Sequence, residues 1–265
     1  MFDHRELSSP VAAIKDAYAP NAIILDVESD FETIPPAIAE GLGIFVESVT
    51  PSSYPTDWLP SDAPSPLIQY AGSEFTIGMP GDGTVTWTRQ TTPPTILIKQ
   101  RAAGTPTQFL EFLIAEAIVQ IDTGVPEHFL PFFESAYTEL DSAVPLGPAE
   151  VYQLAVALYD AWVGLQTRPT FNSLDETHPE LYTAWHDAGN RLNDRLEELP
   201  GAVARGETGF ADATEYACSA IKHDLELPTP FTALDTQAFL EYDAEYAVRW
   251  GRKTFEKLDE SESLD

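Results

Sequence analysis

The second part of the chain carries apolar residues at helical spacing. The stretch TPTQFLEFLIAEAIVQID, residues 105–122, is apolar nearly all round and predicts a central, largely buried helix. The stretch 147–165 repeats Val151, Leu154 and Leu158 at intervals of three or four residues, which is the period of one helix face. Similar stripes follow as far as residue 258. The pattern therefore predicts a helical body of about six to eight helices over 105–258.

Residues 74–101 show the alternation that is typical of strands. The sequence EFTIGMPGDGTVTWTRQ has a Pro-Gly-Asp-Gly turn between two alternating runs, and TTPP then leads into TILIKQR. We expect a three-stranded antiparallel meander in which Trp87 lies opposite Ile98 and Thr86 opposite Lys99. This register puts Val85, Trp87, Arg89, Ile96 and Ile98 on one face. The other face carries threonines together with Lys99 and Arg101.

The first 72 residues mix short elements. SSPVAAIKDAY reads as a helix with Ser9 as its N-cap and Pro10 at the first helical position. NAIILDV is ambiguous between strand and helix, and residues 50–66 form a proline-rich connector. We therefore predict an α+β, mostly helical protein with a small meander packed against helices. An N-terminal part, 1–104, and the helical body form one continuous domain, followed by a disordered acidic tail, 259–265.

Charge changes this picture. The chain has 43 Asp and Glu against 14 Lys and Arg, a formal net charge of −29, and self-repulsion at this density destabilises a compact fold in dilute buffer. Either the acids form a solvated surface that concentrated salt screens, or they bind a basic partner or imitate nucleic acid. The acids are spread out, 13 in residues 1–104 and 30 in 105–265, whereas a mimic would concentrate them. The first interpretation is favoured.

The choice of residues supports the same interpretation. Only five lysines accompany nine arginines, while Thr, Asp and Glu are abundant. In this the chain resembles an uncharacterised acidic family of cytosolic proteins from extremely halophilic archaea. The resemblance implies a protein that works in high salt in the cytoplasm.

Motifs of known chemistry are scarce. Cys218 is the only cysteine and lies among small and apolar residues, which predicts a buried core position in a reducing compartment. No apolar run suits a signal peptide or a membrane span. The sequence has no paired histidines at helical ligand spacing, no nucleophile elbow and no glycine-rich phosphate loop, so we predict no metal and no cofactor. The aromatic stripes are interpreted as core and helix contacts: Trp162, Tyr242, Tyr246 and Trp250.

One segment supports a sharper hypothesis. Residues 83–110 contain no acid but hold three bases, Arg89, Lys99 and Arg101. The order of strand, Gly-rich GMPGDG turn, strand, TILIK and helix resembles the small lobe of protein-kinase-like phosphotransferases. The resemblance covers only about residues 74–122, and implies that Lys99 pairs with Glu116, or with Glu111 as second choice, beside nucleotide phosphates. No matching catalytic loop or magnesium motif follows.

The sequence alone therefore favours a non-catalytic, salt-adapted protein that acts through protein contacts or self-association. The main alternative is a small-anion or nucleotide-binding enzyme with a degenerate kinase-like small lobe, using Arg89, Lys99, Arg101 and Glu116. A third hypothesis is an acidic nucleic-acid mimic that binds a basic protein. We expect no membrane partner, and direct binding to nucleic acid is disfavoured by the charge.

Overall fold

The computed structural model describes residues 1–73 and 75–262. The described residues divide into two compact units. The first unit contains Met1–Tyr54, Pro66–Glu127 and Thr170–Trp185, and the second contains Pro55–Ser65, His128–Pro169 and the chain from His186 onward. The predicted organisation into a 1–104 part and a 105–258 body within one continuous domain stays a prediction.

The protein is mostly helical, with a small mixed sheet. The described residues form eleven α-helices: α1 (Ser9–Tyr18), α2 (Pro36–Leu42), α3 (Ser65–Ala71), α4 (Thr107–Thr123), α5 (Phe129–Phe133), α6 (Ala136–Ala143), α7 (Pro148–Asn172), α8 (Leu174–Thr177), α9 (Pro179–Ala204), α10 (Phe210–Ile221) and α11 (Gln237–Glu262). Eight of these helices, α4–α11, begin within residues 105–258, where the sequence predicts a body of about six to eight helices.

Six short strands form two sheets within the described residues: β1 (Phe2–His4), β2 (Ile23–Val27), β3 (Ser48–Val49), β4 (Val85–Thr88), β5 (Thr91–Thr92) and β6 (Thr95–Ile98). The larger sheet has the order β1-β2-β6-β4. Its central pair, β2 and β6, is parallel, and the two outer pairs are antiparallel. Strands β3 and β5 form a separate antiparallel pair. NAIILDV is therefore a strand, which pairs with the preceding strand β1 and with β6 from a distant part of the chain.

The predicted three-stranded meander is wrong in its first strand. Residues 75–79 are not a strand, so β4 is an edge strand and not the centre of a meander. Strand β6, predicted at the edge, is internal and pairs with β2 on the side away from β4. The physical reason is that β6 is buried along its whole length, so both of its edges need hydrogen-bonding partners. Alternation within residues 74–101 carries no information about a partner located some 70 residues earlier.

Strands β4 and β6 are antiparallel, as predicted, but the observed register differs from the predicted register by two residues. Trp87 lies opposite Ile96, and Val85 lies opposite Ile98. A shift of two keeps every side chain on its predicted face, because side chains alternate with a period of two. Residues 91–92, which the prediction placed in the turn, pair with β3 as strand β5.

The first unit packs apolar residues on both faces of the larger sheet. One face covers a cluster that includes Phe2, Leu25 and Leu97, each at most 4% exposed. On the other face the indole nitrogen of Trp87 donates a 2.6 Å hydrogen bond to Gln120 on α4. Helix α4 is largely buried, as its pattern predicts, and ends at Gly124, whose φ of 74° is a left-handed conformation that suits glycine.

The second unit is helical and has its own apolar core. The α7 stripe of Val151, Leu154 and Leu158 is fully buried, which confirms the periodic interpretation. Helix α11 packs against α5 and α6 and against a 3₁₀ turn at Phe231–Leu234. It is described as far as Glu262, so residues 259–262 of the predicted tail are helical, and 263–265 lie outside the described residues. In the part of the chain that the structure covers, no helix is long and apolar enough to cross a bilayer.

Candidate functional site

Lys99, the base in the kinase-like pattern, is held inside the first unit. Its ammonium nitrogen lies 3.1 Å from a carboxylate oxygen of Asp82 and 4.8 Å from the ring centre of Phe31. The side chain is 0% exposed, whereas that of Asp82 is 21% exposed. Asp82 belongs to the GMPGDG turn, which the kinase-like pattern expects to bind phosphate together with Lys99. In the structure the aspartate of this turn instead neutralises the lysine.

Arg101 has acidic partners as well. Its guanidinium contacts Asp30 at 3.2 Å and Glu32 at 3.1 Å, and it donates a hydrogen bond to the carbonyl of Asp82. Hydrogen bonds from Arg101 hold the pKa of the Asp30 carboxyl below its usual value, and those to Glu32 and Asp30 raise the pKa of Arg101. Lys99 and Arg101 are thus brought together, but within a cluster that also contains three carboxylates.

Arg89 lies at the opposite end of the hairpin. It follows the last residue of β4, while Lys99 and Arg101 follow the last residue of the antiparallel strand β6. The four-residue strands separate these two ends by about 13 Å. The Arg89 side chain donates to the carbonyls of Gly124 and Val125 and lies 5.4 Å from the ring centre of Trp87.

Glu116 is on the buried face of α4 and is 8% exposed. Within the described residues Lys99 pairs with Asp82 and not with Glu116. The threonine face of the hairpin is also buried, since Thr88 and Thr95 are 0% exposed. Anion binding by Arg89, Lys99, Arg101 and Glu116 stays a prediction, and it requires these bases to exchange protein partners for a ligand.

A different basic site lies along α11 in the second unit. A pocket of about 730 Å³ is lined by α11 from Ala238 to Leu258 and by the segment around the Phe231–Leu234 turn. We name it the α11 pocket; its lining residues are Thr229, Pro230, Thr232, Ala233, Ala238, Tyr242, Tyr246, Arg249, Trp250, Lys253, Thr254, Lys257 and Leu258. Its volume is in the range of small-molecule sites, roughly 300–1,000 Å³.

The aromatic wall of the α11 pocket is fixed by hydrogen bonds to the facing segment. The indole nitrogen of Trp250 donates to the carbonyl of Pro230 at 3.2 Å. The hydroxyl of Tyr246 donates to the carbonyl of Ala233 at 2.9 Å. Trp250 is buried, as the aromatic stripe predicts, and satisfies its only side-chain donor in this way.

Tyr242 differs from the sequence-based interpretation. Its side chain is 53% exposed, so it is a rim residue of the α11 pocket and not part of the core. The cause is a break in α11 at Asp243, whose φ of 36° and ψ of −122° are not helical. A positive φ is unfavourable for a residue with a side chain. In a regular helix Tyr242 would lie on the same face as Tyr246 and Trp250, and the break turns it away from that face.

The charge of the α11 pocket is opposite to that of the chain. Its described lining includes three of the chain's 14 bases, Arg249, Lys253 and Lys257, and no Asp or Glu. Five bases elsewhere in the described chain form ion pairs with acids, and Arg168 contacts both Asp224 and Asp235. Within the described part of the chain, no ion pair or side-chain hydrogen bond engages the three pocket bases.

Arg249 has aromatic neighbours in place of a carboxylate. Its guanidinium carbon lies 5.6 Å from the ring centre of Tyr242 and 5.9 Å from that of Tyr246, within the range of cation–π contacts. Contacts with ring faces leave the edge N–H donors of a guanidinium able to bind an anion. The α11 pocket therefore combines an aromatic wall with a positively charged edge.

The described lining of the α11 pocket offers binding groups without an evident general base. It contains no His, Cys, Asp or Glu, the usual groups for proton transfer and nucleophilic attack. The described residues also include no group of three or more potential metal ligands. Cys218 is 1% exposed on α10, which confirms the predicted core position, and burial raises the pKa of its thiol.

The sequence did contain a signal for this site. Tyr246, Arg249, Lys253 and Lys257 recur at intervals of three or four residues, so they share one helix face. The aromatic residues alone are typical of a core contact, and the bases alone are typical of a solvated face. Only their combination on one face, opposite a segment that closes the other side, indicates a pocket.

Comparisons with known proteins identify the family but no activity. No curated protein and no solved structure matches the chain. A family model described as "Family of unknown function (DUF7089)" matches residues 1–258, which is nearly the whole chain. The chain therefore belongs to DUF7089, a family of unknown function.

Proposed function

We propose that this protein is a non-catalytic binding protein for a small organic anion, and that the α11 pocket is its binding site. The observation that carries the proposal is the charge of the described lining residues, which include three bases and no acid in a chain of net charge −29. A positive, partly apolar concavity is the natural site for an anion on a surface that otherwise repels one. This proposal moves anion binding from the hairpin to the second unit.

Two features favour binding over catalysis. The described lining offers bases and hydroxyls but no His, Cys, Asp or Glu. The walls are held by the hydrogen bonds of Trp250 and Tyr246 to backbone carbonyls, so the ligand meets a preformed surface. Preformed walls reduce the entropy that is lost on binding.

Calorimetric titration with several anions tests the proposal. We would titrate tripolyphosphate, adenosine triphosphate and decanoate in about 2 M KCl, where long-range repulsion is screened. At least one anion should bind saturably, and the double variant Lys253→Gln/Lys257→Gln should weaken it roughly tenfold or more, as expected for the loss of charge-assisted contacts.

Arg252→Gln is the matched control, because Arg252 is an exposed base on the same helix but outside the lining. It removes a positive charge without changing the pocket, and it should leave the affinity within about twofold, since exposed charges are screened in this salt. A panel without saturable binding, or equal losses in the control and the double variant, would remove the proposal.

We also propose that the acidic surface is an adaptation to high salt and that the protein acts in the cytoplasm of an extremely halophilic archaeon. Support comes from the net charge, the scarcity of lysine and the dispersed distribution of acids. Folding should become more favourable as KCl rises from about 0.1 to 3 M, because salt shortens the Debye length. Unfolding followed by circular dichroism measures this. A protein that stays fully folded and monomeric in salt-free water would point to a basic macromolecular partner instead.

Self-association or protein contact is a second candidate function, and exposed apolar side chains favour it. Met1 is 79% exposed, Ile44 82% and Ile68 43%, all in the first unit. Buried apolar surface drives protein association, although single exposed residues are common. Light scattering after size exclusion should show a dimer or larger species that Ile44→Ser converts to monomer. A monomer at all concentrations would reject self-association.

A further inference from the structure

We infer that the α11 pocket binds a nucleoside polyphosphate, with the base against Tyr242 and the phosphates along Arg249, Lys253 and Lys257. The inference rests on the anion binding proposed above and names the class of ligand. Three features of the pocket lead to it: the spacing of its charges, the exposure of its aromatic rim, and the polarity of its walls.

The spacing of the bases suits a chain of phosphates. Arg249, Lys253 and Lys257 are separated by four residues each, so they occupy successive turns on one side of α11. Eight residues of helix span about 12 Å, and long side chains converge over part of that distance. A single carboxylate or monophosphate satisfies one or two such bases. A polyphosphate presents several charges in a row and can contact all three.

The aromatic rim suits a planar base. Tyr242 is 53% exposed although it lines the pocket, and the Arg249 guanidinium lies 5.6 Å from its ring centre. The exposed part of this ring is accessible to a second planar group, and stacking of a nucleobase on an aromatic residue contributes affinity regardless of base identity. Because Arg249 contacts Tyr242, it joins the stacking surface to the row of positive charges.

The walls between rim and bases provide polar groups for a sugar. Thr229, Thr232 and Thr254 are among the lining residues, and a threonine hydroxyl can donate and accept hydrogen bonds. The Thr232 hydroxyl donates to the carbonyl of Leu227, so toward a ligand it can serve as an acceptor. Trp250, Pro230 and Ala233 form the apolar part. A fatty-acid carboxylate would fill the apolar part but would leave two of three bases beside a hydrocarbon chain. A nucleoside polyphosphate matches the apolar, hydroxyl and basic parts together.

The test compares the parts of the ligand with the whole. Adenosine triphosphate, adenosine, tripolyphosphate and decanoate are each titrated by calorimetry in about 2 M KCl without magnesium, so that screening is equal for all. We expect one saturable site for adenosine triphosphate, and affinity weaker by roughly tenfold or more for tripolyphosphate, as expected for the loss of one stacked base.

Variants then assign each part of the ligand to its residues. Tyr242→Ala should reduce the affinity for adenosine triphosphate roughly tenfold and leave that for tripolyphosphate unchanged. Lys253→Gln and Lys257→Gln should weaken both ligands, and Arg252→Gln should weaken neither. Tyr242 is exposed, so its truncation should not disturb folding, and the far-ultraviolet circular dichroism of each variant verifies this.

The possible outcomes separate this inference from the proposed function. If tripolyphosphate or decanoate binds as tightly as adenosine triphosphate, and Lys253→Gln weakens it, then the pocket binds anions but the nucleoside inference is overturned. If Tyr242→Ala has no effect on adenosine triphosphate, the assigned stacking position is wrong. If none of the four probes binds, both the inference and the proposed function fail.

Discussion

The ammonium nitrogen of Lys99 lies 3.1 Å from a carboxylate oxygen of Asp82, and only the aspartate of this pair is accessible to water. The Lys99 side chain is 0% exposed and that of Asp82 is 21% exposed. A buried charge without a partner is far more unfavourable than a partly hydrated one. This asymmetry has a consequence for stability that a surface ion pair would not have.

Asp82→Asn should destabilise the protein more than Lys99→Met. The asparagine keeps an oxygen for the hydrogen bond that Asp82 accepts from the Gly83 amide, but it leaves the Lys99 charge buried and unpaired, at about 3 kcal/mol. Methionine keeps an unbranched apolar chain beside Phe31, and the remaining carboxylate is hydrated, so we expect a loss of about 1 kcal/mol. Denaturant unfolding measures both. A larger effect of Lys99→Met would contradict the asymmetry.

His128 should make the stability depend on pH. Burial lowers the pKa of His128 to about 3, and its Nδ1 accepts a hydrogen bond from the Leu130 amide at the start of α5. The unfolded chain takes up a proton near pH 6.5 that the folded chain does not. The stabilisation that comes from keeping His128 neutral is therefore complete above about pH 6.5 and is lost as the pH falls towards 3. Between pH 8 and 5 it amounts to about 2 kcal/mol.

The variant His128→Asn tests this contribution. Asparagine is a good N-cap and does not titrate, so the free energy of unfolding should fall less steeply between pH 8 and 5 than in the wild type. Carboxylates contribute equally to both proteins, which makes the difference in slope the quantity to measure. His178→Asn is the control and should retain the wild-type slope, because it leaves His128 in place. If the free energy of unfolding has the same pH slope in the wild type and in His128→Asn, then uptake of a proton by His128 on unfolding is excluded.

Cys218 should report unfolding through its reactivity. It is 1% exposed on α10, and burial, followed by the charges of Asp160 and Glu215, raises the pKa of its thiol. Only a solvent-accessible thiolate reacts with an aromatic disulfide reagent. Native protein should label slowly, at a rate that rises in denaturant together with the loss of circular dichroism. Because the chain has no other cysteine, Cys218→Ala should abolish the signal. Rapid labelling of the native protein would show that the thiol is accessible.

Alanine substitutions at two glycines of α9 should have opposite effects on the stability of the protein. A Cβ at Gly189 would lie 2.7 Å from the Cβ of His223, too close for either residue to accommodate without a shift. Gly189→Ala should therefore destabilise the protein by about 1–3 kcal/mol through overpacking. A Cβ at Gly201 would meet only the flexible end of Arg205, so Gly201→Ala should stabilise the helix by up to about 1 kcal/mol. Thermal unfolding distinguishes them, and equal shifts would argue against close packing at Gly189.

Local patterns determined most of the secondary structure. The period of the α7 stripe predicts a buried face, and Val151, Leu154 and Leu158 are buried as expected. The alternation in β4 and β6 places Trp87 and Ile96 on the same face, and this is also found. These local patterns hold in the folded protein because a regular helix or strand fixes the direction of each side chain.

The strand partners required the tertiary structure. Strand β6 pairs with β2, and Leu97 lies beside Leu25, more than 70 residues away. The alternation of β6 does not show that its second edge has a partner, so the sequence predicts β6 as an edge strand of a local meander. The choice depends on burial of both edges and on the crossover that a parallel pair needs.

The sites show the same division. The sequence identified basic residues at Lys99 and Arg101, but only the fold brings Asp82, Asp30 and Glu32 to them. The sequence placed Tyr242 in a core stripe, but the break at Asp243 turns it to the rim of the α11 pocket.

The sequence by itself thus determined the helical content, the buried stripes, the burial of the only cysteine and the excess of negative charge. Only the tertiary structure decided which bases have acidic partners and which line a pocket. The physical reason is that helix and strand periodicity depends on neighbouring residues, whereas charge pairing depends on distance in space, and chain folding sets that distance.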